Sequence, residues 1–175
     1  MITVTFKQGD IFTTAMKEHS QLILVFGNFG MMLAGYWHGF VRNYSTDFPL
    51  LKKIQKSRDE FLFHEFTTCR YVCFLPAEDE SNGLSDAMFS ALLKEYLHKA
   101  EDLQLGNIIT TGIKNNIRTD EQGTQRKIYD ERVMYTIDVI EQWIEERKPM
   151  FVQNITLISC DQSYVRRGIE THVVF

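Results

Sequence analysis

The stretch that most constrains this chain is Leu22-Ile-Leu-Val-Phe26, five apolar residues in a row directly after Gln21. A half-buried strand alternates apolar with polar residues, and an amphipathic helix spaces its apolar residues three and four apart. A short unbroken apolar run does neither. It fits a central strand covered on both faces, the kind found where helices pack on the two sides of a largely parallel sheet.

The remaining segments fit that frame. Ile2 to Phe6 is β-rich, and Gly9-Asp10 ends it. Phe61 to Phe66 and Cys69 to Leu75 are two β-like runs joined by Thr67-Thr68. Ser85-Asp86 caps a helix with apolar positions at Met88, Phe89, Leu92, Leu93, Tyr96, Leu97 and Ala100, closed by Gly106. Asn107 to Thr110 is a short strand running into Gly112, and the polar stretch from Lys114 to Arg126 reads as a long loop. Lys127 to Lys148 carries a helical stripe of Val133, Ile137, Ile140, Trp143 and Ile144, stopped by Pro149. Asn154 to Cys160 is another strand, and Thr171 to Phe175 the last. Between the second strand and Phe61, Trp37, Phe40, Val41 and Tyr44 recur at helical spacing, and Thr46-Asp47 with Pro49 marks a break or the start of a short helix at Phe48 to Ile54. Strands alternating with helices predict an α/β fold of three layers, α/β/α, with a mixed, largely parallel central sheet. At 175 residues it is a single domain, residues 1–175.

Composition removes several function classes. The net charge of −4 argues against a broad nucleic-acid footprint, so nucleic acid enters only as a modified substrate. No run approaches the roughly 18 apolar residues of a membrane span. Met1 to Lys7 has no apolar core of the secretory kind and reads as a strand. Three cysteines, Cys69, Cys73 and Cys160, fit reduced thiols in the cytoplasm. Cys69 and Cys73 alternate with Tyr71 as strand packing, and no metal is expected because neither they nor the scattered histidines show ligand spacing. No cofactor is expected.

Ligands in such sheets bind outside the carboxyl ends of the strands, where the strand order reverses. Three glycine-bearing segments fall at such ends: Gly9-Asp10-Ile11, Gly27 to Gly35, and Thr110-Thr111-Gly112-Ile113. Glycine lets backbone N–H groups approach phosphate oxygens closely. No Gly-Lys-Ser/Thr follows any of them, and none is a Gly-x-Gly-x-x-Gly fingerprint.

In this order and spacing the three segments resemble the macro domain family. Gly9-Asp10-Ile11 looks like its early Gly-Asp-Ile signature. Gly27-Asn28 through Met31-Met32-Leu33-Ala34-Gly35 looks like its first phosphate loop, the Met-x-Ala-Gly portion closest to the short-loop branch, and Thr110-Thr111-Gly112-Ile113 like the second. The resemblance covers about Ile2 to Asp161. It implies a cleft for ADP-ribose or a related adenine nucleotide. Asp10 and the backbone at Ile11 would meet adenine. Asn28, Ala34 and Gly35 would line the ribose and diphosphate. Thr111, Gly112 and Ile113 would give N–H groups to the phosphates, and Tyr164 would lie against the base.

The chain also departs from the family. Phe26-Gly27-Asn28-Phe29 stands where long-loop members carry Asn-Ala-Ala-Asn, Leu33 replaces a glycine, and Trp37 or His38 falls where some hydrolytic members have aspartate. Binding is therefore the first expectation. Hydrolysis of an ADP-ribosylated macromolecule, or of a phosphate on ADP-ribose, would rest on His38, Asn28 or Lys114. A third reading is a scaffold whose cleft is filled by Phe29, Met31, Met32, Leu33 and Trp37 and which binds a protein partner. Each site residue also has a plainer role: Asp10 as a cap for the turn or helix that follows, Asn28 bonded to its own loop, His38 packed among aromatics, and Lys114 solvated.

Overall fold

The computed structural model describes residues 1–26, 64–65, 71–75, 85–111, 122–159 and 172–175. Among these, β1 is Thr3–Gln8, α1 is Ile11–Glu18, β2 is Leu22–Phe26, β3 is His64–Glu65 and β4 is Tyr71–Leu75. They are followed by α2, Asp86–Asp102, β5, Asn107–Thr110, α3, Gln122–Arg147, β6, Asn154–Ser159, and β7, His172–Val174.

The strands form one sheet in the order β3-β4-β2-β5-β6-β1-β7. Pairings β4–β2, β2–β5, β5–β6 and β6–β1 are parallel, so five consecutive strands point the same way. The short edge strands β3 and β7 are antiparallel to their neighbours. The expected mixed, largely parallel sheet is the one observed.

Alternation along the strands sorts two apolar layers. Val4, Leu22, Leu24, Ile108, Ile155 and Leu157 share one cluster with Phe89, Leu93 and Leu97 of α2 and Val133, Ile140 and Trp143 of α3. The intervening residues Ile23, Val25, Ile109 and Ile158 are buried on the opposite face, the side on which α1 packs against β2 and β5. There α1 buries Ile11, Phe12 and Ala15, and its Glu18 accepts a hydrogen bond from the Thr156 hydroxyl at 3.1 Å. The run from Leu22 to Val25 is thus apolar on both sides because both sides are covered.

Helices α2 and α3 lie parallel on their face. Tyr135 Oη donates to the Asp86 carbonyl at 2.8 Å near the start of α2, Lys94 pairs with Glu146 at 2.8 Å, and Arg147 pairs with Asp102 at the far end. Fully buried Trp143 donates from Nε1 to His98 Nδ1 at 3.3 Å. Tyr135 lies thirteen residues into α3, so the helix begins about 20 Å before that contact at 1.5 Å per residue. This corrects the sequence reading of 114–126 as loop throughout: the helix begins at Gln122, taking in Gly123. A second correction concerns Met88, expected in the α2 stripe but 57% exposed. Helix α1 enters the sequence reading only as one of two things that Asp10 could cap, without bounds, and spans Ile11–Glu18.

The amino-terminal edge of the sheet is tied by side chains. Gln21 Oε1 accepts from the N–H groups of Gly106 at 2.6 Å and Asn107 at 3.2 Å, while its own N–H donates to the Asn107 carbonyl at 2.8 Å. Glu101, 6% exposed at the end of α2, accepts from the N–H groups of Met150 at 2.6 Å, Phe151 at 3.1 Å and Val152 at 2.9 Å. Burial alone would raise its pKa. The three N–H bonds and the Arg147 charge together outweigh burial and hold it below the usual carboxylate value.

Candidate functional site

The five parallel strands place their carboxyl ends along one edge. The crossover from β5 runs through α3 to β6 on one side, whereas β4 lies on the other side of β2. The strand order therefore reverses between β2 and β5, and that is where a ligand crevice is expected in an open α/β sheet.

Strand ends around this point are uneven. Leu24, Thr110, Leu157 and Phe6 lie in one row. Beyond that row β2 continues to Phe26 beside β4, and β6 continues to Ser159 beside β1, whereas the β5 ladder stops at Thr110. Two residues of strand correspond to about 7 Å, so among the described residues the β5 ladder ends about 7 Å short of the ends of β2 and β6. Thr111 follows the end of that ladder, 8% exposed, and its N–H donates to the Leu24 carbonyl at 3.1 Å.

Asp10 lies at the same edge, where β1 gives way to α1. Two strand spacings separate β1 from β5, about 10 Å. Gly9 has φ +150, a conformation that side-chain-bearing residues rarely adopt, and this turns the chain from strand to helix in one step. Asp10 is then the N-cap of α1: its Oδ1 accepts from Thr13 N at 2.7 Å, and its carbonyl accepts from Thr14 N at 3.0 Å. One carboxylate oxygen thus satisfies an otherwise orphaned N–H of the first turn. The other has no partner among the described residues. Ile11 opens the helix with its side chain fully buried, so only its backbone belongs to the edge.

The structure therefore brings Asp10, Ile11 and Thr111 to one edge of the sheet. It differs from the sequence reading at Thr111, whose N–H is bonded to β2. Asn28, Ala34, Gly35, His38, Gly112, Ile113, Lys114 and Tyr164 lie outside the described residues. Of the plainer roles open to Asp10, turn cap or helix cap, the structure shows the helix cap, at the N-terminus of α1. Its signal was available as an Asp cap followed by Ile11, Phe12 and Ala15 on one helical face. No group of three or more His, Cys, Asp and Glu among the described residues could hold a metal ion, and no helix among them is long and apolar enough to cross a membrane.

The architecture is that of a macro-like α/β/α domain. Among solved structures the chain is similar to the macrodomain of Thermus aquaticus DarG, with a TM-score of 0.54 and 12% sequence identity over 88% of this chain and 97% of that one. No family model and no curated protein matches the chain.

Proposed function

We propose that the chain is a single macro-type domain, residues 1–175, that binds ADP-ribose or a related adenine nucleotide along the carboxyl edge of its sheet. One observation carries this reading: in a macro-like fold, the Gly9-Asp10 step caps α1 at the carboxyl edge where β5 also ends. A carboxylate there suits the exocyclic amino group of adenine, because it accepts hydrogen bonds and donates none. Its oxygen bonded to Thr13 orients the group, and the other oxygen addresses the base. The Gly27–Gly35 and Gly112-Ile113 segments, resembling the phosphate loops of short-loop members, would hold the diphosphate.

Titration calorimetry with ADP-ribose, and with AMP and ADP as controls, tests this directly. The expected result is saturable binding of ADP-ribose that exceeds both controls. A folded sample giving no heat with any of the three overturns the reading.

A further inference from the structure

We propose that the turn between α3 and β6, Met150 to Val152, is an oxyanion receptor in its own right, shaped for a carboxylate, and that Glu101 of α2 is its tethered ligand. The turn lies at the amino edge of the sheet, opposite the candidate site, and the inference does not depend on the nucleotide reading.

The receptor consists of three successive amides aimed at one group. Glu101 Oε1 accepts from the N–H of Met150 at 2.6 Å and of Phe151 at 3.1 Å, and Oε2 accepts from Phe151 at 3.1 Å and Val152 at 2.9 Å. Successive N–H groups converging in this way make a concavity that favours anions. The Arg147 charge adds to it.

What shapes the turn is independent of the Glu101 side chain. On the α3 side, the Lys148 N–H closes the helix on the Ile144 carbonyl at 2.8 Å, Lys148 takes φ 49, and Pro149 has a fixed φ. On the β6 side, the N–H groups of Gln153 and Asn154 donate to the Gly106 carbonyl at 2.8 and 3.0 Å, the Gln153 carbonyl accepts from Thr3 N–H at 2.9 Å, and Val152 is buried. The end of α2 is closed by its own backbone, with Leu103 N–H on the Lys99 carbonyl and Leu105 N–H on that of Ala100. Truncating Glu101 to alanine breaks none of these bonds. It leaves three donors around a space of carboxylate size, and donors kept from water favour any acceptor that reaches them. A carboxylate from solution therefore replaces the lost one, more weakly, because the tether no longer supplies a high local concentration. Size sets the class. Formate is a carboxylate without a stem, whereas the two further carbons of propionate meet the alanine Cβ.

Amide resonances of Glu101→Ala, followed by NMR at neutral pH during titration with sodium formate against sodium chloride of equal ionic strength, test this. Met150, Phe151 and Val152 should shift saturably with an apparent Kd on the order of 10–100 mM, and near saturation the folded-to-unfolded ratio should rise about fivefold or more. Propionate should act at least about tenfold more weakly, and the parent chain, with its receptor filled, should show no saturable shift. No saturable shift in Glu101→Ala, an equal response in the parent, or propionate acting as formate does overturns the proposal.

Should Glu101→Ala fold in neither salt, hydrogen exchange of Glu101→Gln decides, since that side chain fills the space but turns an amino group toward the donors. Gln153 and Asn154 should keep their protection within about threefold of the parent, while at least one of Met150, Phe151 and Val152 exchanges about tenfold faster. A loss of about tenfold at Gln153 and Asn154 would mean that Glu101 builds the turn, and unchanged protection of all three receptor amides would mean that the carboxylate does not hold them; either overturns the proposal.

Discussion

At the scale of single residues, Asp10 combines two tasks that substitution can separate. Asparagine is as good an N-cap as aspartate, so Asp10→Asn should keep the α1 cap and the melting temperature. It replaces one acceptor by an amino group, which opposes the amino group of adenine, and ADP-ribose affinity should fall by about tenfold, or about 1.4 kcal/mol. Asp10→Ala should lose affinity and about 1 kcal/mol of stability together, measured by urea unfolding. Affinity unchanged in Asp10→Asn would remove adenine from this carboxylate. Cys73 gives a second prediction. Burial pushes its thiol up to about 12, with the Tyr96 hydrogen bond and the Lys99 charge acting the other way. Because the thiolate is the reactive form, Cys73 in the folded chain should resist alkylation at pH 8 and react once unfolded. Mass spectrometry of the 73-containing peptide checks this. Ionisation also sets a sign: the unfolded thiol titrates at 9.0, so stability falls as pH rises from there toward about 12.

Among the elements, the helix ends carry the clearest consequences. His19, Gln104 and Lys148 have φ values of 53, 57 and 49 just past the ends of α1, α2 and α3, in the left-handed region that favours glycine. Each glycine replacement should stabilise the fold by about 0.5–1 kcal/mol, the relief of the left-handed penalty less the added chain entropy. A lower melting temperature in any of them would mean that the side chain holds a contact worth more than the strain. Glu101 acts in the opposite sense, joining α2 to the α3–β6 turn through three N–H bonds. Glu101→Ala should cost about 2–3 kcal/mol, since it leaves the buried Val152 N–H unpaired and removes the bonds to two partly buried ones. Its folded pKa lies below the unfolded value of 4.5, so its stabilisation is present above that value and is lost as pH falls through the folded one. The acid limb of a stability–pH curve should therefore flatten in Glu101→Gln.

How much of this was legible follows from how local each signal is. The buried run of β2, the Ser85 cap and stripe of α2, and Trp143 in the core of α3 depend on neighbouring residues, and the sequence carries them in full. Helix α1 did not stand out because it spans only eight residues, and Gly9-Asp10 reads equally well as a plain turn. The first turns of α3 are polar with a glycine, so no periodicity announces a helix that continues backward from its packed half. At the site, Gly9-Asp10-Ile11 was visible as a motif. The bond from Thr111 to Leu24 was not, because it depends on a register between strands 86 residues apart, set by the Gln21 clamp.

For the molecule as a whole, the sheet is finished at its edges by short antiparallel strands. β7 covers β1 over three residue pairs and is extended by the reciprocal bonds of Ile2 and Phe175, both 2.9 Å. Short edge strands limit pairing with other chains. Deleting residues 171–175 would expose the six-residue edge of β1, and the expected outcome is concentration-dependent self-association in sedimentation velocity. A variant that sediments as the parent does would show that this edge is protected by something other than β7.

The strand order also sets a timetable. Both sheet partners of β1, β6 and β7, come from the far end of the chain. On a ribosome adding about 5–20 residues per second, β1 waits roughly 8–30 s between its own synthesis and that of β6. Through that interval Ile2 and Val4, both destined for full burial, have no strand beside them. β1 precedes every other strand of the sheet yet is among the last to be paired, so the nascent chain carries an unsatisfied β-edge while the whole segment between β1 and β6 is made.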